Sequence, residues 1–347
     1  MKTTKVLVVF TGGTIGSAPD AGYLAPGGEN TRRLLLAQFA GQYQSFYEKQ
    51  YDTKICFETI CPYEILSENL SGMHLELLCD TLRTQLAQGG YDGVIVTVGT
   101  DTLAYSSAAL GYMFADTQIP IVTVSANYPL TDVRSNGLVN FEKAIHLILE
   151  GCHKGVFCSY NNGGKHYFHY GTRLLQQANY SDLVYSVLDV YYASVETYAG
   201  NDKIVCKATQ IEKITQCQNQ IQSLVPGQKA LEECNVAFVR PYPGMCLPAL
   251  DEVDAVLLDT YHSGTFPIAD GKLSLFLDRA KEKRISVFVA GVPNGMTYET
   301  TKLYTEKEAH VLPQASPIAM YIKLWLLLSN EMDLETHIKL PMGLDIV

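Results

Sequence analysis

The chain lacks any CxxC pair, any run of lysine or arginine, and any apolar stretch long enough to span a membrane. Each absence removes a class of function. Its nine cysteines lie scattered from Cys56 to Cys246. An odd number without paired spacing fits reduced thiols in a cytosolic protein rather than a disulfide framework. Acidic residues outnumber basic ones, 36 to 26, for a formal charge of −10. A surface that tracks phosphates would have to be built against that field, so no nucleic acid partner is expected. The most apolar late stretch, "IAMYIKLWLLL", is interrupted by Lys323 and falls short of the roughly 20 residues a span needs, so it reads as a core-facing helix. The apolar run near the N-terminus, "KVLVVF", is shorter than the hydrophobic region of a signal peptide. A cytoplasmic location without membrane association is expected. His166 and His169 in "KHYFHY" have no accompanying cysteine or carboxylate cluster. They read as solvated loop histidines, and no metal site is expected.

The chain of 347 residues is 47% hydrophobic and 18% charged, which suits a soluble globular protein of two domains. Short β-branched runs recur, each followed by a polar or glycine-rich loop and then a segment with helical spacing: "KVLVVF" before "TGGTIG", "GVIVTV" before "GTDT", "IPIVTVS" before "ANYPLTDVRSNG", and "GVFCSY" before "NNGGKHYFHYGTR". Continuous apolar strands with helical crossovers predict a doubly wound, mostly parallel α/β sheet. Residues 208–233 are rich in glutamine and read as a connection, dividing an N-terminal domain (1–207) from a smaller C-terminal parallel α/β unit (234–347). In the latter, "NVAFVRPYPG", "AVLLDTYHSG" and "ISVFVAGVP" repeat the strand-then-loop pattern, with "LSLFLDRAKEKR" a helix between the last two.

In such sheets ligands bind beyond the carboxyl ends of the strands, where the candidate motifs lie. "TGGTIG" is not a dinucleotide fingerprint, because Thr11 occupies the place of the first glycine, and GxxxxGK[ST] is absent. No organic cofactor is expected. Two readings of Thr14 remain: a helix-capping turn residue or a nucleophile. "VTVGTDT" poses the same choice, since Thr100 and Asp101 either cap the next helix or face the same crevice as Thr14.

The pair "TGGTIGS" and "YDGVIVTVGTDTLAYSSAAL" resembles the two signatures of the bacterial-type asparaginase family, TGGTI and HGTDT. The likeness extends through "IPIVTVSANYPLTDVRSNG", "GTRLLQ", "VRPYPGM" and "LLDTYHSG", the last two similar to cytoplasmic, type I members. The resemblance implies that Thr14 attacks a side-chain amide carbon, forming an acyl-enzyme that water hydrolyses with release of ammonia. Thr100 is then the second threonine, Asp101 the carboxylate that meets the α-amino group, and Tyr23 the tyrosine of a mobile lid. Ser67 falls where the family contacts the α-carboxylate, with Glu68 beside it, and backbone amides around Gly13 and Gly99 would steady the oxyanion. The family assembles as dimers or dimers of dimers, so a homodimer or homotetramer acting on a small-molecule amide is implied.

Four positions depart from the family pattern. Val98 replaces the histidine before GTDT, Asn136 replaces an aspartate, and Glu68 stands where relatives carry glutamine or serine. Gln176 replaces the lysine of GxRxxK that helps the second threonine accept a proton, unless a gap brings Arg173 there; Lys165 is a further basic candidate. Glutamine has no useful acid–base chemistry and arginine stays protonated. The sequence therefore also allows a binding or sensing protein that has lost turnover. The amidase subunit of a tRNA-dependent amidotransferase is disfavoured by the acidic charge and by a first strand beginning near Lys5.

Overall fold

The β-branched runs become neighbouring strands in the computed structural model, which describes residues 2–20, 22–198, 200–207, 222–295 and 297–347. Strands β1 (Lys2–Phe10), β4 (Thr53–Ile60), β5 (Gly93–Thr97), β6 (Pro120–Val124) and β7 (Gly155–Asn162) form the parallel part of an eight-stranded sheet, in the order β4-β1-β5-β6-β7. Alternate residues of β1 serve the two faces. Leu7 and Val9 join one buried cluster, with helices α3 (Gly72–Gln88) and α4 (Leu103–Met113); Val6, Val8 and Phe10 join the other, with α1 (Gly28–Phe39) and α5 (Gly137–Glu150). Both faces are covered, which is why these strands read as continuous apolar runs.

The sheet then extends antiparallel through β8 (Lys165–Tyr170), β9 (Ala193–Tyr198) and β10 (Asn201–Cys206). Here the structure corrects the expected loop over "NNGGKHYFHYGTR". Gly163 and Gly164 take φ of 58° and 99°, as a two-residue primed hairpin turn requires, and the turn folds β8 back on β7. His166 and His169 are accordingly buried strand residues, not solvated ones. Three positions apart, they point to opposite faces. His166 Nε2 lies 2.9 Å from Ser159 Oγ and His169 Nδ1 2.8 Å from Ser186 Oγ.

A second sheet of four parallel strands, β11 (Val236–Val239), β12 (Ala255–Leu258), β13 (Ser286–Val289) and β14 (His310–Val311), forms the predicted smaller unit. Helices α6 (Lys272–Glu282) and α7 (Glu299–Glu306) cover one face. On the other lies α8 (Pro317–Ser329), the predicted core-facing helix, whose apolar residues join the cluster containing α4. A short α9 (Leu334–His337) leads to the C-terminal tail. Residues 208–221 of the expected connection lie outside the described residues; beyond them the Leu224 amide bonds to the Tyr112 carbonyl at 2.9 Å. No helix among the described residues is long and apolar enough to cross a membrane.

Candidate active site

The chain leaves β1 to build β4 on one side and returns through α3 to build β5 on the other. This reversal opens a crevice at the carboxyl ends of β1 and β5, the position where open α/β sheets bind ligands. Thr14 follows β1 and Thr100 follows β5, so sheet topology alone delivers both threonines to one place.

The two loops touch through their glycines. Gly13 has φ 75° and ψ −177°, a conformation essentially restricted to glycine. A Cβ built on Gly13 would lie 2.3 Å from Gly99 Cα, and one on Gly99 would lie 2.3 Å from Ser67 Oγ. Thr14 and Thr100 each follow one glycine of this contact, and both are half-buried.

A third loop, after β4, is stitched to the first. Gly13 N donates to the Ile65 carbonyl at 2.9 Å, and Ile65 N to the Thr11 carbonyl at 3.1 Å. That places Ser67, 8% exposed, against the second loop, where its Oγ donates to Asp101 Oδ2 at 3.2 Å. Thr102 Oγ1 returns a bond to the Ser67 carbonyl at 3.2 Å. Thr11 Oγ1 donates to the Thr97 carbonyl at 2.6 Å and ties β1 to β5. Burial pushes the phenol of Tyr63, in the third loop, above its ordinary range, with the Thr11 hydroxyl beside it opposing the shift.

The capping alternative fails for both motifs. The turn at Thr14–Gly16 is capped by Gly13, that at Thr100–Thr102 by Gly99, and α4 by Thr102, none with a side-chain capping bond.

Not every predicted residue converges. Glu68 is exposed beside Ser67. Tyr23 lies on an antiparallel hairpin of β2 (Ser17–Asp20) and β3 (Tyr23–Pro26) and is 61% exposed. The hairpin's base is closed by Gly27 N donating to the Gly16 carbonyl at 2.7 Å.

The departures acquire physical roles. Gln176 Nε2 donates to the Asp101 carbonyl at 3.0 Å, while its buried Oε1 has no partner among the described residues. Gln176 therefore reaches the second threonine loop and Arg173 does not: Arg173 Nε donates to the Leu344 carbonyl at 2.6 Å and Nη2 to the Ile346 carbonyl at 3.1 Å, holding the C-terminal tail. Lys165 is exposed beside the β7–β8 turn. Asn136 accepts from Asn127 N at 3.0 Å and donates Nδ2 to the Asn161 carbonyl at 3.3 Å, a donation that an aspartate carboxylate cannot make. Val98 is buried at 2% exposure.

A pocket of about 660 Å³, lined by Arg83, Gly90, Phe114 and Ile119 among others, opens by the C-terminal turns of α3 and α4, away from these loops. Its Ser223 hydroxyl donates to Asp116 Oδ1 at an exposed position, away from the carboxyl ends of the strands, so the glycine-contacted loops remain the candidate site.

Comparison with known proteins identifies relatives of the chain. Residues 5–181, more than half of the chain, match the family model described as "Asparaginase, N-terminal". An L-asparaginase of Thermococcus kodakarensis is 26% identical over 265 residues, 71% of this chain and 72% of the relative. L-asparaginase 1 of Escherichia coli K12 is 26% identical over 152 residues; the match spans 42% of this chain and only 41% of that relative's length. A component of the glutamyl-tRNA(Gln) amidotransferase of Methanosarcina barkeri is 30% identical over 174 residues, 47% of this chain and 38% of the relative. Among solved structures, the thermostable L-asparaginase from T. kodakarensis superposes with a TM-score of 0.74 at 21% identity, with 99% of both chains covered.

Proposed function

The chain belongs to the asparaginase family, and from that premise we propose that it hydrolyses the side-chain amide of L-asparagine, or of a related small amide, with Thr14 as nucleophile. The observation that carries the proposal is the contact of Gly13 with Gly99, which sets the two threonines one residue either side of a shared backbone junction. The Thr14 hydroxyl adds to the amide carbon, and backbone N–H groups of the two glycine turns offer donors to the developing oxyanion. Ammonia leaves with the proton taken from Thr14, and water then cleaves the threonyl ester to give the acid. Asp101 and Ser67, joined by their hydrogen bond, present a carboxylate for an α-amino group and a hydroxyl for an α-carboxylate. The hairpin bearing Tyr23 is the lid that closes over substrate and excludes water.

Gln176 marks the weak point of the relay. A neutral amide cannot take a proton at working pH, and general-base assistance is worth about a hundredfold to ten-thousandfold. Slow turnover follows, with Gln176→Lys raising it. The same observation favours a second reading, an amino-acid-binding protein that retains the cleft without turnover. Thermal unfolding with and without asparagine, alongside ammonia release, separates the two. A binder gains melting temperature and releases no ammonia, while an enzyme releases it and loses that activity on Thr14→Ala. The homodimer or homotetramer implied by the resemblance and the cytoplasmic location belong to the same proposal. Size-exclusion chromatography with light scattering tests the assembly.

A further inference from the structure

At the end of α5 the chain turns through Gly151, whose φ of 67° is left-handed, and enters β7 at Gly155. The short sequence Glu150-Gly151-Cys152-His153 fills this turn. Because β7 runs parallel to β6 and β5, the turn lies where the strands begin, at the edge of the sheet opposite Thr14 and Thr100. Nothing in the proposed amide chemistry uses it.

Three different ligand types converge here. His153 Nε2 lies 3.5 Å from Cys152 Sγ and 2.7 Å from Glu150 Oε2, and all three ligand atoms fall within 4.8 Å of one another. Zinc binds sulfur at about 2.3 Å and nitrogen or oxygen at about 2.0 Å, so a tetrahedral centre sets its ligand atoms about 3.3–3.6 Å apart. The sulfur–nitrogen separation already has that value, and the carboxylate need withdraw by only about 0.6 Å. The geometry points to a binding site for one divalent transition-metal cation of zinc-like preference, held by Glu150, Cys152 and His153 with a fourth position left to solvent.

The surroundings support that assignment independently. His153 presents its other nitrogen, Nδ1, to the Tyr192 hydroxyl at 2.6 Å. That hydroxyl also bonds to the Cys206 thiol. A cation at Nε2 would replace the proton shared there with Glu150 and leave Nδ1–H to donate to Tyr192, the orientation that outer-shell partners impose on ligating histidines. The second carboxylate oxygen of Glu150 lies 3.8 Å from Nε2 of His146, one helical turn back and 2% exposed. Cys152 is exposed and gives a cation a route in. Carboxylate and thiolate together neutralise a divalent charge, the thiol proton leaving to solvent as the metal–sulfur bond forms. A thiolate and an imidazole select zinc or cobalt over magnesium or calcium. Such an ion clamps the α5–β7 turn to the residue that leads into β9.

Cobalt(II) is the probe, because a cobalt–thiolate bond absorbs in the near ultraviolet. Chelator-treated full-length protein is expected to take up one equivalent with that absorption, and zinc is expected to displace it. Cys152→Ser loses the charge-transfer absorption, whereas Cys246→Ser, at an exposed thiol outside the cluster, keeps it. Tyr192→Phe retains the absorption but weakens affinity about 10–100-fold. No absorption in the wild-type protein, or absorption that survives Cys152→Ser, overturns the proposal and leaves His153 and Glu150 as an ordinary ion pair.

Discussion

Replacing Asp345 with alanine strands a buried cation. Lys323 lies on α8 and Asp345 in the C-terminal tail; both side chains are fully enclosed, with Nζ 2.7 Å from Oδ2. Nζ also donates to the Leu340 carbonyl at 2.5 Å. Asp345 accepts in addition from the Tyr112 hydroxyl of α4 at 3.0 Å and from Met342 N at 3.0 Å. Asp345→Ala therefore removes the ion partner of a lysine that keeps the Leu340 carbonyl, and leaves the Tyr112 hydroxyl without its acceptor. Breaking a buried pair from one side costs about 3–5 kcal/mol, whereas apolar replacement of both partners is often neutral. The expected result in urea unfolding is a large loss of midpoint for Asp345→Ala, recovered in greater part by Lys323→Met in the same chain. The pH dependence has a definite sign. Burial, the leading cause, holds the Lys323 ammonium below its ordinary value of 10.5, with Asp345 opposing. Between the folded value and 10.5 the unfolded chain binds more protons, so stability from this group rises with pH. Without Asp345 that window widens downward, and the alanine variant gains more on raising the pH than the wild type does. A cost below about 1 kcal/mol, or no coupling between the two substitutions, would refute the buried-charge reasoning.

Three further outcomes follow from the site and its supports. Gly13→Ala forces a Cβ to within 2.3 Å of Gly99 Cα in a glycine-only conformation; strain of about 1–3 kcal/mol should part the loops and abolish turnover, read by ammonia release beside far-ultraviolet circular dichroism. Asn136→Asp sets a carboxylate against the Asn161 carbonyl and should cost about 1–3 kcal/mol at neutral pH; the deficit should shrink in acid, where the protonated carboxyl can donate, as urea midpoints at the two pH values will show. Burial lowers His169 to about 3 and His146 to about 4 from an ordinary 6.5, so the unfolded chain binds more protons as pH falls through that window and stability declines; His169→Gln should flatten that slope in thermal melts.

The parallel strands and threonine loops were legible because continuous apolar runs and a glycine pair report local requirements that sheet topology does not alter. The hairpin of β7 and β8 was hidden by "NNGG", which reads equally as a loop until both glycines are seen at positive φ. The β2–β3 hairpin was masked in the same way, by a stretch rich in alanine and proline. The fate of Arg173 depends on the C-terminal tail, more than 170 residues away, and no local pattern near "GTRLLQ" carries that information. The bond from Gln176 to Asp101 crosses 75 positions. Here the family pattern located the residue, and geometry decided between it and Arg173. The Glu150–His153 turn escaped notice because its ligand types are mixed and its spacing matches no familiar metal motif.

Ammonia release is the direct test of whether the junction of Gly13 with Gly99 serves amide hydrolysis. Purified wild-type protein, Thr14→Ala and Gln176→Lys are to be assayed against asparagine, glutamine and simple amides. Expected are measurable release by the wild type on at least one amide, loss of release with the fold retained in Thr14→Ala, and an increase of up to about ten-thousandfold in Gln176→Lys. Equal release by wild type and Thr14→Ala, or none from any amide even with lysine restored, would contradict amide hydrolysis at that junction.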